Sequence, residues 1–135
     1  MLKEFEISTK KEQELIDITD KVKSIISESR IESGICIVYV PHATAGIIVN
    51  ENYDPSVCND IIKQLNEFIP KHNNYEHDKI DNNANSHIKS SIIGPSETII
   101  LEDGKLKLGK WQGIALAEFD GPRTKRKIYI KIIKD

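Results

Sequence analysis

Apolar residues follow two rhythms along this chain, one of period two and one of period three to four, and polar segments separate them. Lys3-Glu4-Phe5-Glu6-Ile7 and Glu14-Leu15-Ile16-Asp17-Ile18 alternate across the polar stretch Ser8 to Glu12, which predicts an opening hairpin. Thr19 is placed to cap a helix whose apolar face is Val22, Ile25 and Ile26, with Lys21, Lys23 and Glu28 toward solvent and Gly34 permitting the exit turn. Ile35 to Val40 is an unbroken, β-branched run between Gly34 and Pro41, the pattern of a central strand covered on both faces. A second apolar stretch, Gly46 to Val49, runs directly into Asn50-Glu51-Asn52.

Asp54 as N-cap and Pro55 at the first helical position start a helix in which Val57, Ile61, Leu65 and Phe68 repeat until Pro70 stops it. Lys71 to Asn85 is almost wholly polar and reads as a long loop of the kind that often carries function. Ala84, Ile88 and Ile92 then fit one face of a short helix ended by Gly94-Pro95. The remainder reads as sheet: Glu97 to Leu101, an Asp103-Gly104 turn, Leu106 and Leu108, Ile114 to Ala117, and Lys127 to Ile132. The order predicts an α+β fold in a single domain spanning residues 1–135, with a mostly antiparallel or mixed sheet-rich core and two to three helices.

Composition narrows the function classes. With 39% hydrophobic and 30% charged residues the chain reads as an ordinary globular domain, and a net charge of −2 argues against a nucleic-acid binder working by bulk electrostatics. No apolar run is long enough for a spanning helix and the first residues lack the apolar core of an export signal, so the expectation is a cytoplasmic protein with no membrane partner. Cys36 and Cys58 show neither metal spacing nor a disulfide framework and read as buried thiols. Charge is unevenly spread: residues 104 to 135 carry 9 basic and 3 acidic side chains. That basic tail is either the solvated outer face of C-terminal strands or a patch for a phosphorylated ligand.

The four histidines are His42, His72, His77 and His87, and three of them stand where the pattern has turned from apolar to polar; imidazoles so placed bind divalent metals or move protons near neutral pH. Glu51, Glu118 and Asp120 follow or end apolar strands, where a carboxylate is available as a general base or metal ligand, or simply bonds the turn. Glu118 lies among apolar neighbours and needs a partner, and Arg123 is a candidate for that role or for gripping a phosphate in two-pronged fashion. Gly109-Lys110-Trp111-Gln112-Gly113 contains the one tryptophan but matches no phosphate-loop pattern.

Taken together, His42-Ala43-Thr44-Ala45-Gly46 through Asn50-Glu51, His77, Asn83-Ala84 with His87, Gly94-Pro95-Ser96, Leu108 to Gln112 and Glu118 to Arg123 resemble the YjbQ family, described as secondary thiamine-phosphate synthase enzymes. The resemblance covers nearly the whole chain. It implies a small α+β homotrimer whose motifs gather into one site, either within a subunit or at a subunit boundary. It also implies a transferase that joins a pyrimidine diphosphate to a thiazole phosphate with release of pyrophosphate. On that pattern Glu51, Glu118 and Asp120 are the catalytic candidates, and Thr44, Asn50, Lys110, Gln112 and Arg123 bind substrate or phosphate. His42, His77 and His87 would hold a divalent ion such as Zn, Mn or Mg. A metal-dependent hydrolase and a non-catalytic metabolite-binding trimer are the alternatives, and in each case the expected partner is a small phosphorylated metabolite.

Overall fold

The computed structural model describes all 135 residues. Eight strands and three helices follow one another as β1 (Leu2–Ile7), β2 (Glu14–Asp17), α1 (Thr19–Ser29), β3 (Gly34–Tyr39), β4 (Ala45–Glu51), α2 (Pro55–Phe68), α3 (Ala84–Ile93), β5 (Ser96–Glu102), β6 (Lys105–Leu106), β7 (Gln112–Glu118) and β8 (Arg126–Lys134). They form two antiparallel sheets, ordered β1-β8-β3-β5-β6 and β2-β7-β4. The inward residues of both sheets meet in one core that α1 completes with Val22 and Ile26; Val38, Ile47, Leu101, Leu116 and Ile130 are fully enclosed there. This is the expected α+β class, and no helix is long and apolar enough to cross a membrane.

The opening hairpin does not form. β1 pairs with β8 and β2 with β7, so the polar segment between them crosses from one sheet to the other. Alternation sets which face of a strand is buried but not which strand lies beside it. In β3 the inward Cys36 and Val38 are buried while Ile35 and Ile37 are half-exposed, so this middle strand is covered fully on one face, not two. Helix α1 begins with Thr19 inside it rather than as its cap. Asp17 accepts hydrogen bonds from both the Thr19 amide and its hydroxyl, and the helix ends at Arg30 in the left-handed conformation (φ 58°), with Gly34 already opening β3.

Helix α2 starts as expected, with the Asp54 carboxylate accepting from the Ser56 amide at 2.9 Å and Pro55 first in the helix. Its apolar positions are nevertheless only half-covered, and Phe68 is 75% exposed. Helix α3 turns its other face inward: Asn85, Ser86, Lys89 and Ser90 are buried while Ile92 is exposed. Within the polar loop Glu76–Lys79 forms one 3-10 turn. The Asp103-Gly104 turn is as expected, both residues having positive φ (54° and 70°), as a tight hairpin between β5 and β6 requires. Of the two thiols Cys36 is buried and Cys58 only half-buried, on α2.

Candidate anion-binding site

The end of β7 and the start of β8 are joined by a buried ion pair. Glu118 is 0% and Arg126 4% exposed; Arg126 Nε donates to Glu118 Oε1 at 2.9 Å and its Nη2 donates to Oε2. The Thr9 hydroxyl (2.7 Å) and the Asp120 amide (3.0 Å) donate to the same carboxylate. Arg126 Nη2 also donates to Thr44 Oγ1 at 2.9 Å. Glu118 therefore has its partner, but the partner is Arg126 rather than Arg123. With both its oxygens engaged Glu118 holds the loop in place, and Thr44 anchors Arg126 from the β3–β4 connection. Arg126 and Thr9 were missed by sequence reasoning. The signal for Arg126 lay in the period-two pattern Arg126, Ile128, Ile130, Ile132, all on the buried face of β8.

This anchor shapes the segment Phe119 to Lys125. Gly121 passes so close to the β1–β2 connection that a Cβ there would stand 2.1 Å from the Lys11 carbonyl oxygen, and its amide donates to the Glu12 carbonyl at 2.9 Å. The Arg123 amide donates to the Thr9 hydroxyl at 2.8 Å, and the Arg123 side chain folds back onto Asp120, Nε to the carbonyl at 2.9 Å and Nη2 to Oδ2 at 2.8 Å. The turn thus projects a half-exposed guanidinium beside a cavity of about 260 Å³ lined by His42, Arg123, Thr124, Lys125 and Arg126. No acidic side chain lines it.

His42 reaches this cavity from the segment between β3 and β4. Its Nε2 accepts the Lys127 amide at 2.9 Å, so in the neutral ring the proton sits on Nδ1. Burial holds the imidazole below its ordinary pKa, and Arg126, Arg123 and Lys127 push the same way against Glu118. The field at His42 is positive. A neutral N–H donor, a two-pronged guanidinium and an ammonium around one small opening suit a phosphate or another compact oxyanion.

His77 and His87 belong to a separate cavity of about 420 Å³, lined by Tyr75, Glu76, His77, Ala84, His87 and Ile88. Their rings meet edge to face with centroids 5.0 Å apart. Nε2 of His77 is buried without a hydrogen-bond partner, 3.5 Å from Asp81 Oδ2. His42 is not among these residues, and no three of the chain's His, Cys, Asp and Glu side chains converge to hold one ion. The donor set fits a three-histidine ion only in part, since one chain brings two of its three imidazoles together.

Four other candidates lie elsewhere. Asn50 and Glu51 close β4 where it pairs with Gly113 and Gln112, at the opposite end of β7 from Glu118 and so about 20 Å away at ~3.3 Å per residue. There the Asn50 side chain accepts the Glu51 amide at 2.7 Å and Gln112 Oε1 accepts the Gly109 amide at 2.7 Å, which is turn bonding. Lys110 Nζ sits 5.0 Å above the Trp111 ring, and Trp111 packs at 6.1 Å against the exposed Tyr53. Within one chain the motifs fall into three groups: the cleft at Arg123, the cavity at His77 and His87, and the far end of the β4–β7 pair.

Fold and cleft together define a small two-sheet α+β protein with a cationic pocket fixed by a buried ion pair. A family model described as UPF0047 protein YjbQ-like matches residues 3–135, and the chain belongs to that family. A UPF0047 protein of Methanocaldococcus jannaschii is 55% identical over 135 residues, covering 100% of this chain and 96% of its own. YugU of Bacillus subtilis is 46% identical over 136 residues, covering 98% of this chain and 99% of its own. The crystal structure of a YbjQ-like protein from Sulfolobus solfataricus superposes with a TM-score of 0.97 at 36% identity, covering 100% of this chain and 97% of that one.

Proposed function

We propose that this protein is a transferase acting on small phosphorylated metabolites, of the accessory thiamine-phosphate synthase type, working in the cytoplasm as a homotrimer. One observation carries the reading: the cavity lined by His42, Arg123, Thr124, Lys125 and Arg126 has three cationic residues and no carboxylate among its lining residues. In the reaction, the thiazole nitrogen forms a C–N bond to the methylene carbon of the pyrimidine as the C–O bond to the diphosphate breaks. The bonding pair leaves with pyrophosphate and no net proton moves. Charge accumulates on the departing pyrophosphate, where Arg123, Lys125 and the Nδ1–H of His42 offset it as preorganised donors. Asp120 orients Arg123 through the 2.8 Å contact.

Calorimetric titration with inorganic pyrophosphate tests the cleft. Saturable binding that weakens at least tenfold in Arg123→Ala is expected; equal affinity in wild type and variant contradicts the assignment.

The unpartnered Nε2 of His77 favours a second reading, a hydrolase in which His77 and His87 hold a divalent ion with a ligand from outside the chain. Such an ion, when bound, supplies Lewis acidity toward a phosphate ester. A metabolite-binding protein without turnover shares the anion cleft, and an assay for product separates it from both enzymes.

A further inference from the structure

Lys89 is fully enclosed, and nothing in the chemistry of the Arg123 cleft uses it. It stands on α3 and reaches toward the β1–β2 connection and α2, where its ammonium donates to Gln13 Oε1 at 3.3 Å and to Asn66 Oδ1. It forms no ion pair with any carboxylate of the chain, and Glu12, next to Gln13, pairs with Lys71 at 2.9 Å instead. A buried ammonium without a counter-ion lowers stability, and an anion held close to it offsets that loss.

The two acceptors show where such an anion fits. An ammonium only donates, so Gln13 and Asn66 each turn the amide oxygen to Lys89 and the NH2 group away from it. Both residues line an open cavity of about 480 Å³, together with Asn59, Ile62, Lys63 and Glu67. Neither NH2 group donates a hydrogen bond within the chain, and each amide is polarised by the cation bound at its oxygen, which strengthens its N–H donors. Lys89 beneath the wall, with Lys63 and Glu67 in it, leaves one surplus positive charge. None of these residues lines the Arg123 cleft.

We propose that this cavity is a second ligand site, for a small hydroxy monocarboxylate, whose carboxylate oxygens accept from the side-chain amides of Gln13 and Asn66. A carboxylate offers two acceptors and no donor, as a pair of outward NH2 groups requires, and its single charge matches the surplus. A phosphate dianion exceeds that surplus and meets Glu67. The remaining volume takes a short carbon skeleton beside Ile62, and Glu67 is the acceptor for a hydroxyl. Lys89 is a positioning residue, acting through the two amides it orients.

The test is a titration of isotope-labelled protein with sodium lactate, following the side-chain NH2 resonances of Gln13 and Asn66 by NMR. Sodium chloride at matched ionic strength and inorganic phosphate are the controls. Saturable shifts of both amides are expected with lactate, and binding at least tenfold weaker in Lys89→Met, followed at Gln13. Asn66→Asp keeps an oxygen for Lys89 and puts a carboxylate in the cavity wall, so it should fold and lose lactate to a similar degree; it carries the test if Lys89→Met does not fold. Arg123→Ala should bind lactate within about twofold of wild type, which separates this site from the cleft. Shifts no larger than those with chloride, or tighter binding of phosphate than of lactate at these amides, overturn the proposal. So does lactate affinity that is unchanged in a folded Lys89→Met or Asn66→Asp, or lost in Arg123→Ala.

Discussion

Glu118 and Arg126 set the geometry of the cleft from beneath. Removing one member of a buried ion pair leaves the other charged and unpaired, which costs about 3–5 kcal/mol, whereas replacing both by apolar residues is often far milder. Arg126→Met should therefore lower stability by roughly that amount, and Glu118→Leu with Arg126→Met should recover much of it; chemical denaturation of the two variants measures both. His42 adds a pH dependence whose sign follows from its lowered pKa. Between that value and the unfolded imidazole's pKa of about 6.5, the unfolded chain binds more protons, so stability is fully present above about pH 6.5 and is lost as pH falls through the window. Protonation would also set an N–H of His42 against the Lys127 amide it now accepts. Denaturation of wild type and His42→Gln at pH 7.5 and 5.5 should show a steeper loss in wild type, and parallel losses would contradict it. At this scale the sequence showed that Glu118 needed a partner. It could not show that Thr9, more than a hundred residues away, shares the same carboxylate, because that contact exists only after the sheets pack.

Among the elements, the helices and most strands were legible from periodicity and from turn residues such as Asp54-Pro55 and Asp103-Gly104. Pairing was not, since β1 and β2 carry the alternation of a hairpin and join different sheets. Helix α3 misled for another reason. Its polar residues are inside because partners arrive from distant segments: Ser86 meets Phe119, while Lys89, 0% exposed, donates to Gln13 Oε1 at 3.3 Å and to Asn66 Oδ1. The Lys89 ammonium donates hydrogen bonds only to amide oxygens, and burial lowers its pKa, with Glu12 opposing the effect and Lys71 adding to it. Methionine matches the aliphatic stem without the charge, and Asn66 and Gln13 are open enough for water to replace the lost donor. Lys89→Met should raise the thermal midpoint, by the equivalent of about 1 kcal/mol. A lowered midpoint would mean that the ammonium is needed to tie α2, α3 and the β1–β2 connection together.

Over the whole molecule, the basic C-terminal quarter is divided between a sheet surface and a cavity wall. Lys127 pairs with Glu4 at 3.3 Å and Lys131 lies on the exposed face of β8, a solvated sheet surface, whereas Arg123, Lys125 and Arg126 converge with His42. Charge counting located the patch but not its division, which depends on the turn after β7. The motifs of the YjbQ pattern divide likewise. His42, Thr44, Glu118, Asp120 and Arg123 share one end of the β4–β7 pair, while Asn50, Glu51, Lys110 and Gln112 share the other. Sequence order is silent on this, because a strand of six or seven residues carries consecutive motifs to opposite ends.

The transfer proposed at the Arg123 cleft, of the pyrimidine methylene carbon from diphosphate to the thiazole nitrogen, is tested by product formation. The protein is incubated with the pyrimidine diphosphate and thiazole phosphate, and pyrophosphate and thiamine phosphate are quantified for wild type and Arg123→Ala. Equimolar release of the two products by wild type, reduced at least tenfold in a variant whose fold is intact by circular dichroism, is the predicted result. No thiamine phosphate from wild type, or turnover unaffected by Arg123→Ala, would contradict it.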